Sequence, residues 1–250
     1  MLVIKGKKGL FSTATVWFAE EKYKEADIVY YRSCSSPVTQ FCLGTITLNT
    51  DLRNSDDELL KICESNCRNE IRRAKREGVV TEYYYGEKIS KKLLTEYAQF
   101  YKEFHEGKGL GKIDIDSLVH NLELYARENG LLISRAILFD TPSVYHIYIV
   151  DGENARLYHS CSLFREADNK DIRKKIGMAN RMLHYDDLIW MKNKGYLKCD
   201  WGGAGRSSEV ENIYRFKKSF GGDETIVYSG TDYHNPFLKW LYWLYIVFSS

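Results

Sequence analysis

The stretch LLISRAILFDTPSVYHIYIVDGENARLYHSCSL, residues 131–163, decides the predicted fold. It holds three segments rich in β-branched and aromatic residues, at 131–139, 144–150 and 155–163, with DGEN as the turn between the last two. Such segments predict consecutive antiparallel strands. The elements predicted after them are a helix near 172–194 that ends at Gly195, a strand at 196–201, a helix near 209–219 and a strand at 225–229. This order predicts a mixed sheet with helices on both faces.

The predicted strands and helices of the first half of the chain follow a loosely similar order. Its predicted elements are strands at 14–19, 27–32 and 40–48, one long helix between a cap at Asn54 or Ser55 and a stop at Gly78, a strand at 79–85 and a helix at 90–105. A glycine-rich hinge at 107–112 precedes a helix at 114–128. We therefore predict two halves, 1–112 and 113–250, each a mixed, mostly antiparallel sheet flanked by helices.

The amino-acid composition limits the kinds of partner that the protein is expected to bind. The 250 residues carry 36 basic and 34 acidic side chains, a net charge of +2, so no overall field marks a DNA-binding protein. The six cysteines form no CxxC pair and no apolar leader opens the chain, which predicts a reduced, cytoplasmic protein without a metal. The aromatic run at 237–248 is shorter than the roughly twenty residues that span a bilayer. It predicts a closing core strand or helix, or else a contact with a membrane surface or partner.

The order of strands also predicts where a ligand binds. A parallel neighbour that departs after the third antiparallel strand creates a switch point in the sheet, and ligands favour the carboxyl ends of strands there. The loop after Leu163 is the predicted place.

Three ordered segments resemble a known family. They are NCRNEIRRAKREGVV at 66–80, GMANRMLHYDDLIWMKNKGYLKCDWGG at 177–203 and IYRFKKSFGG at 213–222. Together they resemble the FemAB-like branch of the GNAT acyltransferases, over roughly 65–230. The resemblance implies two GNAT-like halves, the first degenerate and the second carrying the acyl-donor site, and a reaction that transfers an acyl group to an amine.

The resemblance leaves more than one donor open. Some members move amino acids from aminoacyl-tRNA to peptidoglycan precursors, whereas others move an acyl group from acyl-CoA to a nucleotide-linked amino sugar for surface polysaccharide. This chain lacks the long coiled-coil insertion of many tRNA-dependent members, which favours acyl-CoA and a nucleotide-linked deoxyamino sugar over tRNA. A non-catalytic ligand-binding relative is the remaining alternative.

The residues themselves suggest roles in such a transfer. Alternation along ARLYHSCSL predicts that Leu157, His159 and Cys161 share one face, and His159 titrates in the right range for a base or is a structural histidine. His184 is a second candidate base, oriented by Asp187, or a surface histidine. GNAT acyltransferases usually have a glycine-rich loop at the start of the following helix, and this chain has basic residues there instead. These residues predict a site for the phosphates of the acyl donor, or else a solvated turn. The residues are Arg173, Lys174, Lys175, Gly177 and Asn180.

The remaining candidates concern the acceptor. Asp200, at a strand end, binds the acceptor amine or caps the turn at Gly202–Gly203. Lys217 matches the lysine of the family's FK motif and would stabilise the oxyanion or a phosphate. Six further side chains are expected to contact the substrate: Arg72, Arg76, Tyr84, Trp201, Tyr214 and Arg215. For the two arginines, which lie on the first-half helix, a solvated helix face is the alternative.

Overall fold

The computed structural model describes residues 1–165, 167, 169–203 and 211–240. The chain forms two compact units, one made of Met1–Thr47 and Thr225–Ser250, the other of Leu48–Glu224. These units do not coincide with the halves 1–112 and 113–250, whose relationship as two GNAT-like repeats stays a prediction. Within the described ranges, no helix is long and apolar enough to cross a membrane.

The first unit is a small sheet. Its strands are β1 (Leu2–Lys8), β2 (Phe11–Trp17) and β3 (Ile28–Cys34), and β4 (Cys42–Asp51) and β10 (Asp223–Tyr233) contribute residues to both units. β1 and β2 are antiparallel, β2 and β3 are parallel, and β10 is antiparallel to β3. The sequence did not predict β1, because only Leu2 and Ile4 of this lysine-rich strand are buried.

The second unit contains the helices and the remaining strands. The helices are α1 (Asp56–Lys61), α2 (Ser65–Arg76), α3 (Lys91–Gly107), α4 (Ile115–Arg127), α5 (Lys170–Asn193) and α6 (Glu211–Lys218). The strands are β5 (Val80–Tyr85), β6 (Leu131–Leu138), β7 (Thr141–Val150), β8 (Asn154–Ser162) and β9 (Lys198–Gly203). Their order is β4-β9-β8-β7-β6-β5, antiparallel from β5 to β8 and parallel between β8 and β9. The predicted mixed α/β fold class is confirmed.

Helices cover both faces of this sheet. Tyr145 of β7 packs against Phe100 of α3 with ring centroids 4.9 Å apart, whereas the next residue, His146, bonds to Asn180 of α5. Since neighbouring residues of a strand point to opposite faces, α3 and α5 lie on opposite sides. The core under α5 includes Leu132, Tyr148, Leu188 and other buried side chains.

One predicted helix is interrupted. A single helix was expected between Ser55 and Gly78, and both ends are confirmed: Ser55 forms a capping box with Glu58, and Gly78 has φ +77°. The chain nevertheless breaks into α1 and α2, because Glu64 is extended (ψ 152°) and acts as the N-cap residue of α2. The break preserves the apolar face, so periodicity alone did not reveal it.

The predicted C-terminal elements are only partly described. α6 begins at Glu211, and residues 204–210, where the sequence placed its start, lie outside the described residues. In the aromatic run, residues 236–240 are helical, and the Asn235 carboxamide oxygen accepts the Phe237 N–H at 3.1 Å. Phe237 and Trp240 are exposed. Residues 241–248 of the run lie outside the described part.

A β-bulge in β8 overturns the predicted alternation. Ile147 pairs with His159 but the next residue, Tyr148, pairs with Leu157, so Tyr158 is an extra residue in the ladder. The bulge reverses the facing of every later side chain. Leu157 therefore shares a face with Ser160 and Ser162 rather than with His159 and Cys161.

Candidate functional site

A cavity of about 620 Å³ opens where β8 and β9 cease to pair. The parallel ladder between them covers three positions and ends at Arg156 and Asp200, although both strands continue. Beyond that point Leu157, Ser160 and Ser162 face the cavity. Phe164 follows β8 and also lines the cavity, so the predicted switch-point position coincides with it.

The cavity carries an excess of positive charge. Among the described residues that line it, five are cationic and one is a carboxylate. The carboxylate, Glu70, is already paired with Arg181. The cations are Lys108, Arg165, Lys174, Arg181 and Lys217. Such a lining favours an anionic ligand.

The apolar part of the lining is mostly aromatic. It comprises Phe104, Leu157, Phe164, Ile213 and Phe216. A ligand in this cavity meets cationic and aromatic side chains side by side, because Lys108 lies over the Phe104 ring and Arg181 lies over the Phe216 ring.

Lys217 lines the cavity from α6. Its ammonium donates to the Gly203 carbonyl oxygen at 3.0 Å. Burial lowers the pKa of Lys217 to about 8, while the Asp200 carboxylate opposes the shift and Arg156 adds to it. Lys217 is thus a cation that gives up its proton more readily than an exposed lysine.

Asp200 and Trp201 do not face the cavity, which corrects two expectations. Asp200 is buried, forms an ion pair with Arg156 and accepts the Gly202 N–H at 2.8 Å, so it is the cap of the glycine turn that the sequence offered as the alternative. Trp201 is 1% exposed, and its indole N–H donates to Thr50 at 2.9 Å in the core. The Asp200 carboxylate nevertheless lies close enough to Lys217 to oppose the lowering of its pKa.

Gly202 allows β9 to approach β8. A Cβ at this position would lie 2.8 Å from the Leu157 carbonyl oxygen, and the residue has φ +71°. Both facts require glycine here, whereas nothing lies within 4 Å of a Cβ built on Gly203. Gly202 therefore lets β9 lie against β8 next to the Lys217 ammonium.

His184 faces the cavity from α5. Its Nε2 lies 3.4 Å from the Ser160 hydroxyl oxygen, and its ring packs against Trp201, Phe216 and Phe220. Burial lowers the pKa of His184 well below its usual value, so the ring is neutral at pH 7. Asp187 does not orient it, contrary to prediction, and Nδ1 of His184 has no partner among the described residues.

A buried network beside His184 was missed by the sequence analysis. Asp187 Oδ2 accepts the Tyr148 hydroxyl at 2.8 Å and lies 2.7 Å from His146 Nδ1. His146 Nε2 lies 2.8 Å from Asn180 Oδ1, and Asn180 lines the cavity. The available signal was the alternation in VYHIYIV, which places His146 and Tyr148 on one face of β7.

The same cluster does not have the geometry of a metal centre. Ligand-type atoms of His146, His184 and Asp187 lie within 4.8 Å of one another. However, the two imidazoles stack with centroids 3.8 Å apart and 24° between their planes, so their in-plane lone pairs do not converge on one ion. Both nitrogens of His146 are also hydrogen-bonded. The expected absence of a metal cofactor stays a prediction.

His159 points away from the cavity as a result of the bulge. Its Nδ1 lies 2.6 Å from the Tyr97 hydroxyl, and its ring stacks on Tyr101 with centroids 4.5 Å apart. Burial lowers the pKa of His159 to about 4. His159 therefore has the surroundings of a structural histidine on the α3 face, and its predicted role as a base does not fit this position.

Only some residues of the predicted donor-phosphate site line the cavity. Lys174, Gly177 and Asn180 line the cavity. In contrast, Arg173 donates to the Ala167 carbonyl oxygen at 2.8 Å, and Lys175 lies over the Phe139 ring.

The predicted acceptor-binding side chains lie outside the cavity lining. Arg72 and Arg76 are exposed on α2, and the Tyr84 hydroxyl donates to Glu82 at 2.6 Å. On α6, Tyr214 bonds to Glu224 and Arg215 pairs with Glu211. The structure therefore brings only part of the predicted set together.

Comparison with solved structures identifies proteins that have a similar fold. A FemX structure matches with a TM-score of 0.61 and 14% identity, covering 78% of this chain and 63% of the FemX chain. The structure of L-PGS from Bacillus licheniformis matches with a TM-score of 0.52 and 12% identity, covering 94% and 81%. This chain thus spans less than two thirds of the FemX chain. Neither the protein-family models nor the curated proteins give a match.

Proposed function

We propose that the chain is an N-acyltransferase that moves an acyl group from acyl-CoA to the amine of a nucleotide-linked deoxyamino sugar, as in surface-polysaccharide synthesis. The observation that carries the proposal is the cationic cavity between the unpaired ends of β8 and β9. Both co-substrates carry diphosphates, which suit its five cations. The FemX-like fold and the three sequence motifs add support.

The cavity offers groups for each step of the transfer. The acceptor nitrogen attacks the thioester carbonyl carbon, and the Lys217 ammonium stabilises the negative charge that develops on the carbonyl oxygen. The nitrogen loses its proton through the Ser160 hydroxyl to His184 Nε2, which lies 3.4 Å away and is neutral at pH 7. The carbon–sulfur bond then breaks, the amide forms, and CoA leaves as a thiolate that takes up the proton passed to His184, which returns this imidazole to its neutral form.

The test follows the release of free thiol from a panel of acyl-CoAs mixed with nucleotide-linked amino sugars. Lys217→Met should lower kcat/KM by about 10²- to 10³-fold, as does loss of one oxyanion donor. Lys218→Met is the matched control, because this neighbouring ammonium donates to the Gly222 carbonyl oxygen and does not line the cavity. Equal activity of wild type and Lys217→Met would refute the assigned role.

A second candidate is transfer from aminoacyl-tRNA to a peptidoglycan precursor. The likeness to FemX and the exposed arginines of α2 favour it. Transfer from charged tRNA without thiol release from any acyl-CoA would select this function. A ligand-induced rise in Tm with no turnover from either donor would select the third alternative, a non-catalytic ligand-binding relative.

A further inference from the structure

We infer that Asn180 donates an amide N–H into the cavity and that a buried ion pair between Asp187 and His146 fixes this orientation. Three properties of the cluster determine this orientation: the protons on His146, the direction of the Asn180 amide, and the charge state of the stacked His184. The identity of the group that accepts the N–H rests on the proposed function, in which it is the acyl carbonyl oxygen. The orientation itself does not.

Hydrogen-bond chemistry fixes the protons on His146. An ionised carboxylate only accepts, so Asp187 Oδ2 receives both the Tyr148 hydroxyl proton and the N–H at His146 Nδ1. An amide oxygen also only accepts, so the contact between His146 Nε2 and Asn180 Oδ1 requires a second N–H. With Asp187 ionised, His146 therefore carries a proton on both ring nitrogens, and the two charges balance where both side chains are 0% exposed.

The contact with His146 Nε2 defines the direction of the Asn180 amide. Its oxygen is occupied by His146, so the NH₂ group is directed elsewhere. Within the described part of the chain, this NH₂ group donates to no protein acceptor, and Asn180 lines the cavity. A neutral His146 with its proton on Nδ1 would instead require the amide to be reversed and would present the oxygen to the cavity. The protonation of His146 thus sets whether the cavity meets a donor or an acceptor.

The stacked pair of imidazoles, His146 and His184, holds one positive charge and not two. From α5, His184 stacks on His146, and burial together with the charge of His146, Lys217 and Arg181 keeps the pKa of His184 low. From the sheet, the paired residues are Ser134 on β6 and Ser160 on β8, neither of which is charged. The carboxylate that faces His146 is Asp187, which makes it the residue that holds the proton there.

The first test needs no knowledge of the reaction. The complete chain, labelled with ¹⁵N in its histidines, is studied by NMR at pH 7, and His146→Asn identifies the signals. We expect both ring nitrogens of His146 to be protonated, and Asp187→Asn to remove the proton from one of them. A neutral ring in the wild type, with one protonated nitrogen, would overturn the inference whatever the enzyme does.

The second test uses the thiol-release assay. Asn180→Ala should lower kcat by about 10²-fold with little change in KM, because a donor to the developing oxyanion is lost. Asn193→Ala is the control, since Asn193 is exposed at the end of the same helix and is not among the residues that line the cavity. Asp187→Asn should reproduce the fall in kcat without touching the ligand. If Asp187→Asn fails to fold, Asn180→Ala decides: unchanged kcat would refute the role of the Asn180 N–H as a donor to the acyl carbonyl oxygen.

The two tests separate this inference from the proposed function. A doubly protonated His146 in a protein that releases no thiol would leave the orientation of Asn180 intact and refute the acyl-CoA reaction. An active enzyme with a neutral His146 would support the acyl-CoA reaction and refute the inferred orientation of Asn180.

Discussion

Acidification should destabilise the folded protein through His159. Burial against α3 lowers the pKa of this imidazole to about 4, whereas an unfolded chain holds it near a pKa of about 6.5. Between these values the unfolded state binds a proton that the folded state excludes. The histidine therefore leaves stability intact above about pH 6.5 and reduces it as the pH falls towards 4.

The size of the effect follows from the linkage relation. Each pH unit in this window costs about 1.4 kcal/mol, so the free energy of unfolding should fall by about 2 kcal/mol between pH 7 and pH 5 on account of His159. The lowered pKa of His184 acts in the same direction. Other groups also titrate over this range, so the informative quantity is the difference between variants.

Urea unfolding at pH 5, 6 and 7 provides the measurement. His159→Gln changes the stability at every pH by removing the contact with the Tyr97 hydroxyl, but it should also flatten the dependence on pH by about 2 kcal/mol over this range. His120→Gln, at an exposed position of α4, is the control and should keep the wild-type slope. A His159→Gln slope equal to that of the wild type would refute the reasoning.

Three further predictions concern packing. Gly202→Ala should lower the free energy of unfolding by at least about 1–2 kcal/mol in urea, because of its positive φ and the close carbonyl oxygen, while Gly203→Ala should not. Trp201→Phe should lower the free energy of unfolding by about 1–3 kcal/mol in the same assay, because the buried Thr50 hydroxyl oxygen loses the indole N–H that it accepts. Adding Thr50→Val to this variant should lower the free energy of unfolding little further. A thiol reagent should modify Cys42 first, because the other five cysteines are buried; equal rates in the folded state would contradict these positions.

Much of the fold could be predicted from local patterns. The strands at 131–163 and the long helix after them depend on alternation and helical spacing, and both signals are strong here. The break at Glu64 was missed because one extended residue leaves the apolar spacing unchanged. β1 was missed because a strand with two buried side chains leaves almost no pattern.

The candidate site was less predictable than the fold. Lys217 and His184 carry recognisable chemistry, and both line the cavity. The pairing of His146 with Asn180 depends on the register of α5 against β7, which no local pattern encodes. The facing of His159 depends on one inserted residue, and nothing in ARLYHSCSL distinguishes it from a regular strand.

The bulge at Tyr158 determines how this strand tolerates a change in length. Removing that residue would join Leu157 directly to His159, and regular alternation would leave each side chain on its present face. Ser160 would stay in the cavity, and His159 would stay on the α3 face. This strand can therefore lose one residue at the bulge without changing which side chains line the cavity.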